Sequence, residues 1–146
     1  MAKSSIIFFL LLFYTATAQN RIDDILGKWM SVDKTVSVSV YREGKNFKAR
    51  ILWFDERLGN GKPMNTRVDS HNPDLNLRNR KLIGMEILKN LNFNHEKQRW
   101  ENGKIYDASS GRTWDSYIEI QENGLMIVRG YWKWTWIGKT LHFNKM

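Results

Sequence analysis

Arg78 and Arg80 stand two residues apart in a stretch that also carries Asp69 and Asp74. In an extended segment such a pair faces one side, and two guanidiniums together grip a carboxylate or a phosphate through forked hydrogen bonds. The same residues admit an internal use, in which Asp69, Asp74 or Asp107 accepts from the arginines and pins the chain around them. Ordering a long untethered segment costs conformational entropy, which favours the internal use. Arg129 and Tyr131 repeat the two-residue spacing and would hold an acidic head group if their strand turned them inward, because a guanidinium inside an apolar cavity marks a polar anchor point. Their direction is open: Ile127, Arg129 and Tyr131 share one face, and Met126, Val128 and Trp132 share the other. Trp132, Trp134 and Trp136 alternate with Lys133 and Thr135, which would line up three indoles on one side of a strand. Such a row suits sugar stacking, a wedge at a membrane interface, or the filling of a barrel interior or rim. Trp53 and Trp100 are further aromatic candidates for a ligand-lining surface.

Groups able to do covalent or acid-base chemistry are sparse. His71, His95 and His142 are scattered, without the His-x-x-x-His spacing of a metal site, so no metal ligand is assigned. The absence of cysteine excludes disulfides, a thiol nucleophile and thiolate-bound zinc or iron-sulfur clusters. Ser109-Ser110-Gly111 lacks the context of a nucleophile elbow and reads as a hairpin turn. Asp107 and Asp115 flank that turn and could act as paired carboxylates in glycoside hydrolysis; acidic residues at turns are otherwise ordinary. No catalytic residue and no cofactor is assigned, and a non-enzymatic role is the expectation.

These side chains must be positioned by one domain. A chain of 146 residues with 42% hydrophobic and 26% charged residues is long enough for a single core and too apolar for disorder. Residues 1–18 combine Lys3, an apolar run from Ile6 to Phe13 and the ending Ala16-Thr17-Ala18, which predicts a secretory signal peptide cleaved after Ala18. The apolar run is short for a bilayer-spanning helix, which needs about 20 residues. The mature chain, residues 19–146, is then expected to be exported, periplasmic or secreted. Its net charge falls by one from the +8 of the full chain. The Lys and Arg are dispersed rather than massed, which predicts an ordinary solvated surface; export argues against a nucleic-acid partner, and a monomer is expected.

Past a polar lead holding Ile22, Ile25 and Leu26, the pattern is period-2 alternation bounded by turn residues. It predicts strands over residues 28–32, 36–41, 47–54, 82–88 with an extension towards 93, 99–106, 112–120, 125–132 and 139–145. Phe47, Ala49, Ile51 and Trp53 fall on one face of the third. Residues 55–81, with Pro63 and Pro73, form a long irregular loop. Glu122-Asn123-Gly124 is a strong hairpin signal. Eight strands joined mostly by short turns predict an all-β fold, a small antiparallel up-and-down barrel that leaves no edge unpaired. The alternative, a barrel spanning an outer membrane, fits poorly with short strands charged at both parities.

Gly27-Lys28-Trp29 on the first strand resembles the Gly-x-Trp signature of lipocalins and other calycins. In those barrels the tryptophan plugs the closed end and a late basic residue covers its ring, a part that Lys145 or Arg129 would take here. Several further motifs, in order, resemble the secreted bacterial family called domain of unknown function 2147: the run from Asp69 to Gly84, then Trp100-Glu101-Asn102-Gly103-Lys104-Ile105-Tyr106-Asp107, Gly111-Arg112-Thr113 and Val128-Arg129-Gly130-Tyr131. That family's Asn-Pro-Asp-x-x-Leu-Arg-x-Arg-x-Leu-x-Gly pattern is met by Asn72, Pro73, Asp74, Leu77, Arg78, Arg80, Leu82 and Gly84. Leu75 and Lys81 stand where prolines are expected, and Leu141-His142-Phe143-Asn144-Lys145 replaces the usual ending and its arginine. The resemblance implies a calycin-like barrel and an exported protein, and no reaction. Arg129-x-Tyr131 is also similar to the head-group spacing of fatty-acid-binding barrels.

Three functional expectations follow. The first is a binding module of the cell envelope for a small apolar or amphipathic ligand, its acidic head met by Arg129 and Tyr131 or by Arg78 and Arg80. The second is an envelope polysaccharide or peptidoglycan hydrolase or lyase using Asp107, Asp74 or Asp115. The third is a structural envelope protein that binds peptidoglycan or lipid through a basic, Trp-rich surface.

Overall fold

The computed structural model describes residues 21–146; the expected signal peptide lies outside them. A 3-10 turn, Arg21–Asp23, leads into eight strands: β1 Gly27–Ser31, β2 Val36–Glu43, β3 Asn46–Phe54, β4 Glu86–Asn94, β5 Arg99–Asp107, β6 Arg112–Ile120, β7 Met126–Trp132 and β8 Trp134–Lys145. Each strand pairs antiparallel with the next, and β8 pairs with β1, closing the barrel in chain order. Closure removes both free edges that a run of alternating strands would otherwise expose. The turns form where their residues predict: Lys34, Gly44, Gly111 and Gly124 all adopt positive φ at hairpin connections.

Residues paired across neighbouring strands share a face, so the register separates inside from outside. Trp29, Phe47, Leu91, Trp100, Ile118 and Phe143 are buried inside and fill the half of the barrel nearest the N-terminal turn. The opposite parity carries Lys48, Arg50, Lys104, Arg129 and Glu119, a charged outer wall unlike the apolar band that faces lipid.

The closed end is built by the lead segment. Ile25 is fully buried beneath the barrel, the Trp29 indole N–H donates to its carbonyl oxygen at 2.8 Å, and the Trp100 indole N–H donates to the Ile22 carbonyl oxygen at 3.1 Å. Lys145 Nζ lies 5.3 Å from the Trp29 ring centroid and donates to the Asp24 carbonyl oxygen at 3.3 Å. Gly27 sits at φ +121°, where a Cβ would approach the Lys145 side chain to 3.3 Å. The covering cation is thus Lys145, while Arg129 lies on the outer wall.

Three expectations shift. Ser37 pairs with Trp53 and Val38 with Ile51, leaving Leu52 as the extra residue of a bulge. The alternation therefore slips by one, so that Phe54 joins Val36 in the interior and Trp53 turns out. The fourth strand starts at Glu86 rather than at Leu82, because Gly84 at φ +80° bends the chain and donates its N–H to the Ile51 carbonyl oxygen. The eighth begins at Trp134, since Lys133 alone, at φ 62°, makes the reversal from β7.

Inside the barrel, Ser116 pairs with Gly103 and Gly130 and is fully buried, yet among the described residues its hydroxyl has no hydrogen-bond partner. A buried unmet hydroxyl costs about 1–3 kcal/mol. Ser116→Ala is expected to raise stability by about 1 kcal/mol in urea denaturation, in keeping with that penalty; a destabilised variant would show that the hydroxyl has a partner in solution.

Candidate functional site

The long connection between β3 and β4 is tied down by its own side chains. Asp69, fully buried, accepts from Asn72 Nδ2 at 2.7 Å and Arg80 at 2.9 Å through one carboxylate oxygen, and from the Tyr106 hydroxyl at 2.6 Å through the other. Burial pushes the Asp69 carboxyl up, but the hydrogen bonds from Asn72, Tyr106 and Arg80, with the Arg80 charge, outweigh it and hold the group below its usual value. Burial and the bond to Asp69 push the Tyr106 hydroxyl up to about 12. Asn72 Oδ1 accepts from the Asp74 N–H, and Asp74 caps the 3-10 turn Leu75–Leu77 by accepting from the Asn76 N–H. Pro73, between the two, lines the crevice described below.

That turn answers the question of the paired arginines. The segment is not extended: Arg78 is helical in backbone and donates to the Asn72 carbonyl oxygen at 2.8 Å, whereas Arg80 pairs with Asp69. Both guanidiniums hold the loop to itself. Gly111 of the β5–β6 turn completes the fit, since a Cβ there would lie 2.0 Å from the His71 carbonyl oxygen.

Tyr106 pairs with Thr113, on the face opposite Ile105 and Trp114, so the Asp69 strap lies against the outer wall of the barrel. Only the stretch holding Leu82, Ile83 and Met85, with Met64, packs over Ile51 and Phe54 at the rim. Between strap and wall runs a crevice of about 330 Å³ lined by Pro73, Leu77, Arg80, Lys89, Lys104 and Tyr106. Two of its cations are engaged, Arg80 by Asp69 and Lys104 by Asp115.

Other expected site residues are dispersed. Arg129 and Tyr131 face outward; the Arg129 guanidinium donates to the Thr135 carbonyl oxygen at 2.9 Å and to Thr140 Oγ1 at 3.0 Å, and the Tyr131 ring lies 6.2 Å from that of Tyr117. An inward head-group anchor formed by these two is therefore not what the strand builds. Trp100 is buried in the closed end. Asp107 accepts from the Ser109 N–H and hydroxyl and from the Ser110 hydroxyl; burial pushes its carboxyl up, and these bonds more than reverse the shift. Asp107 belongs to the parity of Ile105, whereas Asp115 pairs with Lys104 on the outer wall, so the two carboxylates do not flank a common site. The three indoles do not line one strand but gather around the reversal at Lys133: Trp132 pairs with Trp134 across the turn, on one face, and Trp134 stacks on Trp136.

What the fold does assemble is a cleft of about 510 Å³ at the open end, lined by Arg112, Thr113, Trp114, Trp132 and Ile137. Trp114 and Trp132 meet edge to face, centroids 6.4 Å apart. Below them the paired small residues Ser116 and Gly130 leave the wall shallow; a Cβ on Gly130 would meet only the Trp114 Cβ, at 3.8 Å. Among the described residues the Arg112 guanidinium has no hydrogen-bond or ion-pair partner. Sequence reasoning passed over Arg112 and Trp114. Their signal was the alternation Arg112, Trp114, Ser116, Ile118, which points inward once Ile118 is known to be core.

Comparison with known proteins agrees with this architecture. Among solved structures the chain is similar to protein HP1028 of the human pathogen Helicobacter pylori, described as belonging to the lipocalin family, with 21% identity, a TM-score of 0.69 and coverage of 84% of this chain and 82% of that one. No curated protein matches. The family described as "Uncharacterized protein conserved in bacteria (DUF2147)" matches residues 27–145, from the Gly-x-Trp glycine to the lysine over the tryptophan. With the whole closed barrel inside that match, the chain belongs to the DUF2147 family and has a lipocalin-like fold.

Proposed function

We infer that this barrel is a non-catalytic binding module of the bacterial cell envelope, which takes a small amphipathic ligand with an acidic head at its open end. The observation that carries this reading is a guanidinium, Arg112, unpaired among the described residues and set at the edge of a cleft whose walls are two indoles and Ile137. Arg112 is exposed, so water meets its charge in the free protein and a ligand's acidic head would take the place of that water; concave apolar sites with one polar group are the usual form of a small-molecule site. The lower half of the barrel is filled by side chains, so a ligand would seat at the rim with its apolar part against Trp114 and Trp132.

The test uses dodecanoate and dodecanol as probes, followed by the fluorescence of the cleft indoles. Wild type is expected to bind dodecanoate more tightly, and Arg112→Gln to weaken dodecanoate by roughly tenfold while sparing dodecanol, as loss of one charge-assisted pair implies. Equal affinities in both proteins, or no binding of either probe, would remove the reading. Native mass spectrometry of protein purified gently from its own host would then identify the resident molecule by the mass lost on unfolding.

A further inference from the structure

The β7–β8 reversal exposes more apolar surface than any packing need accounts for. Trp132, Trp134, Trp136 and Ile137 are 54%, 56%, 71% and 49% exposed at one hairpin tip. Burying an indole typically stabilises a fold by a few kcal/mol, so four large apolar side chains left in water at one point mark a surface that meets something apolar. Trp134 and Trp136 lie parallel within 8°, centroids 5.3 Å apart. Each indole thus covers one face of the other, and the pair projects as a blunt wedge instead of two open faces set side by side for sugar rings.

The hairpin that carries this tip is charged with one sign: from Leu125 to Leu141 it holds Arg129, Lys133 and Lys139 and no Asp or Glu. The nearby Asp115, across from Tyr131, is already paired with Lys104. Lys133 is the turn residue itself, and Lys139 stands opposite Gly130, just beyond the irregular stretch that carries Trp136. Indoles partition to the boundary between head groups and acyl chains, and each Lys or Arg near an anionic surface adds roughly fivefold to the attraction. Stacked tryptophans flanked by lysines, at the rim rather than the closed end, are the features of an interfacial anchor.

We propose that the tip formed by Trp134, Trp136, Lys133 and Lys139 docks the barrel onto an anionic lipid bilayer. The indole pair enters the head-group region and the lysines meet phosphate. Trp132 and Ile137 belong to both the tip and the open cleft, so docking turns the mouth of the barrel towards the membrane, where amphipathic molecules are held. The docking surface is independent of the ligand reading and stands if the cleft proves empty.

The test is co-sedimentation of the full mature chain with vesicles of phosphatidylcholine, with and without about one-third phosphatidylglycerol, at ~0.05 M and ~0.5 M salt. Brominated lipids report how deeply the tryptophans enter. Binding is expected to anionic vesicles, with tryptophan quenching, and to weaken in high salt. The double variant Trp134→Ser, Trp136→Ser should lose at least tenfold in partition and most of the quenching, and Lys133→Gln with Lys139→Gln should remove the preference for anionic lipid. Because these side chains are exposed, circular dichroism should be unchanged. Arg112→Gln should lower anionic-vesicle binding by no more than the roughly fivefold of one cation and leave the tryptophan quenching in place, which separates this outcome from the dodecanoate test. No binding to anionic vesicles would overturn the proposal, as would binding that the tip variants leave untouched. A tip that instead holds a soluble glycan, or a second copy of the chain in place of vesicles, would overturn it too.

Discussion

Asp69→Ala is expected to cost about 3 kcal/mol and to free the long loop from the barrel wall. One buried carboxylate answers three donors from two distant parts of the chain, so its removal leaves the Arg80 guanidinium, the Asn72 amide and the Tyr106 hydroxyl without their acceptor. Hydrogen bonds to charged groups contribute roughly 1.5–3 kcal/mol each, and the half-exposed Arg80 recovers part of its loss by hydration, which brings the sum to about 3 kcal/mol. Hydrogen exchange should show the loss concentrated in residues 67–82, with the closed end unchanged. Uniform protection in the variant would sink this account. The same carboxyl imposes a pH dependence. Its folded value lies below the unfolded 3.8, so its contribution is fully present above pH 3.8 and is lost as the pH falls through the depressed folded value. Acid should therefore loosen the loop below about pH 4 in wild type, with that step missing from the alanine variant.

Trp29→Ala is expected to be the most damaging single change, about 3–5 kcal/mol, or some 10–20 °C in Tm. The indole is 1% exposed, it is packed in the main core, its N–H is satisfied by the Ile25 carbonyl oxygen, and Lys145 covers its ring. Truncation leaves a large cavity where the barrel closes and undocks the lead segment that seals it. Trp29→Phe should recover much of the packing but not the hydrogen bond, and Lys145→Met should cost only about 0.5–2 kcal/mol, the range for a cation over an aromatic face. Calorimetry on the three variants gives this order; a Lys145→Met protein as unstable as Trp29→Ala would show that the cation, rather than the packed ring, holds the end shut.

The division of labour between these two regions explains why the protein presents one working end. Trp29, Trp100 and Ile25 fill and plug the closed half, while at the other rim the covering stretch of the loop packs over β2 to β4 and reaches Tyr106 and Ala108 at the end of β5. The part of the rim at Arg112, Trp114 and Trp132 stays open, next to the exposed indoles of the β7–β8 tip.

Much of this was legible in the residues. Period-2 alternation, turn residues at short intervals and a chain too short for two cores determined an eight-stranded antiparallel barrel, because side chains alternate along a strand and a closed sheet alone removes the edges. Gly27-Lys28-Trp29 marked the closed end only through its resemblance to the calycin signature; the structure supplies the reason, a glycine without Cβ that admits the lysine chain covering the ring. The two-residue spacing of Arg78 and Arg80 misled about direction, since Asp74 caps a 3-10 turn there and ends the extension on which the shared face depended. Trp53 misled similarly, because one extra residue at a bulge flips every side chain beyond it, and a period of two carries no record of where the slip occurs. Which parity of β7 faces inward, and hence that Arg129 is outside and Arg112 guards the mouth, was decided only by tertiary structure: both faces of that strand carry apolar residues, and burial of one against Ile118 and Phe143 selects between them.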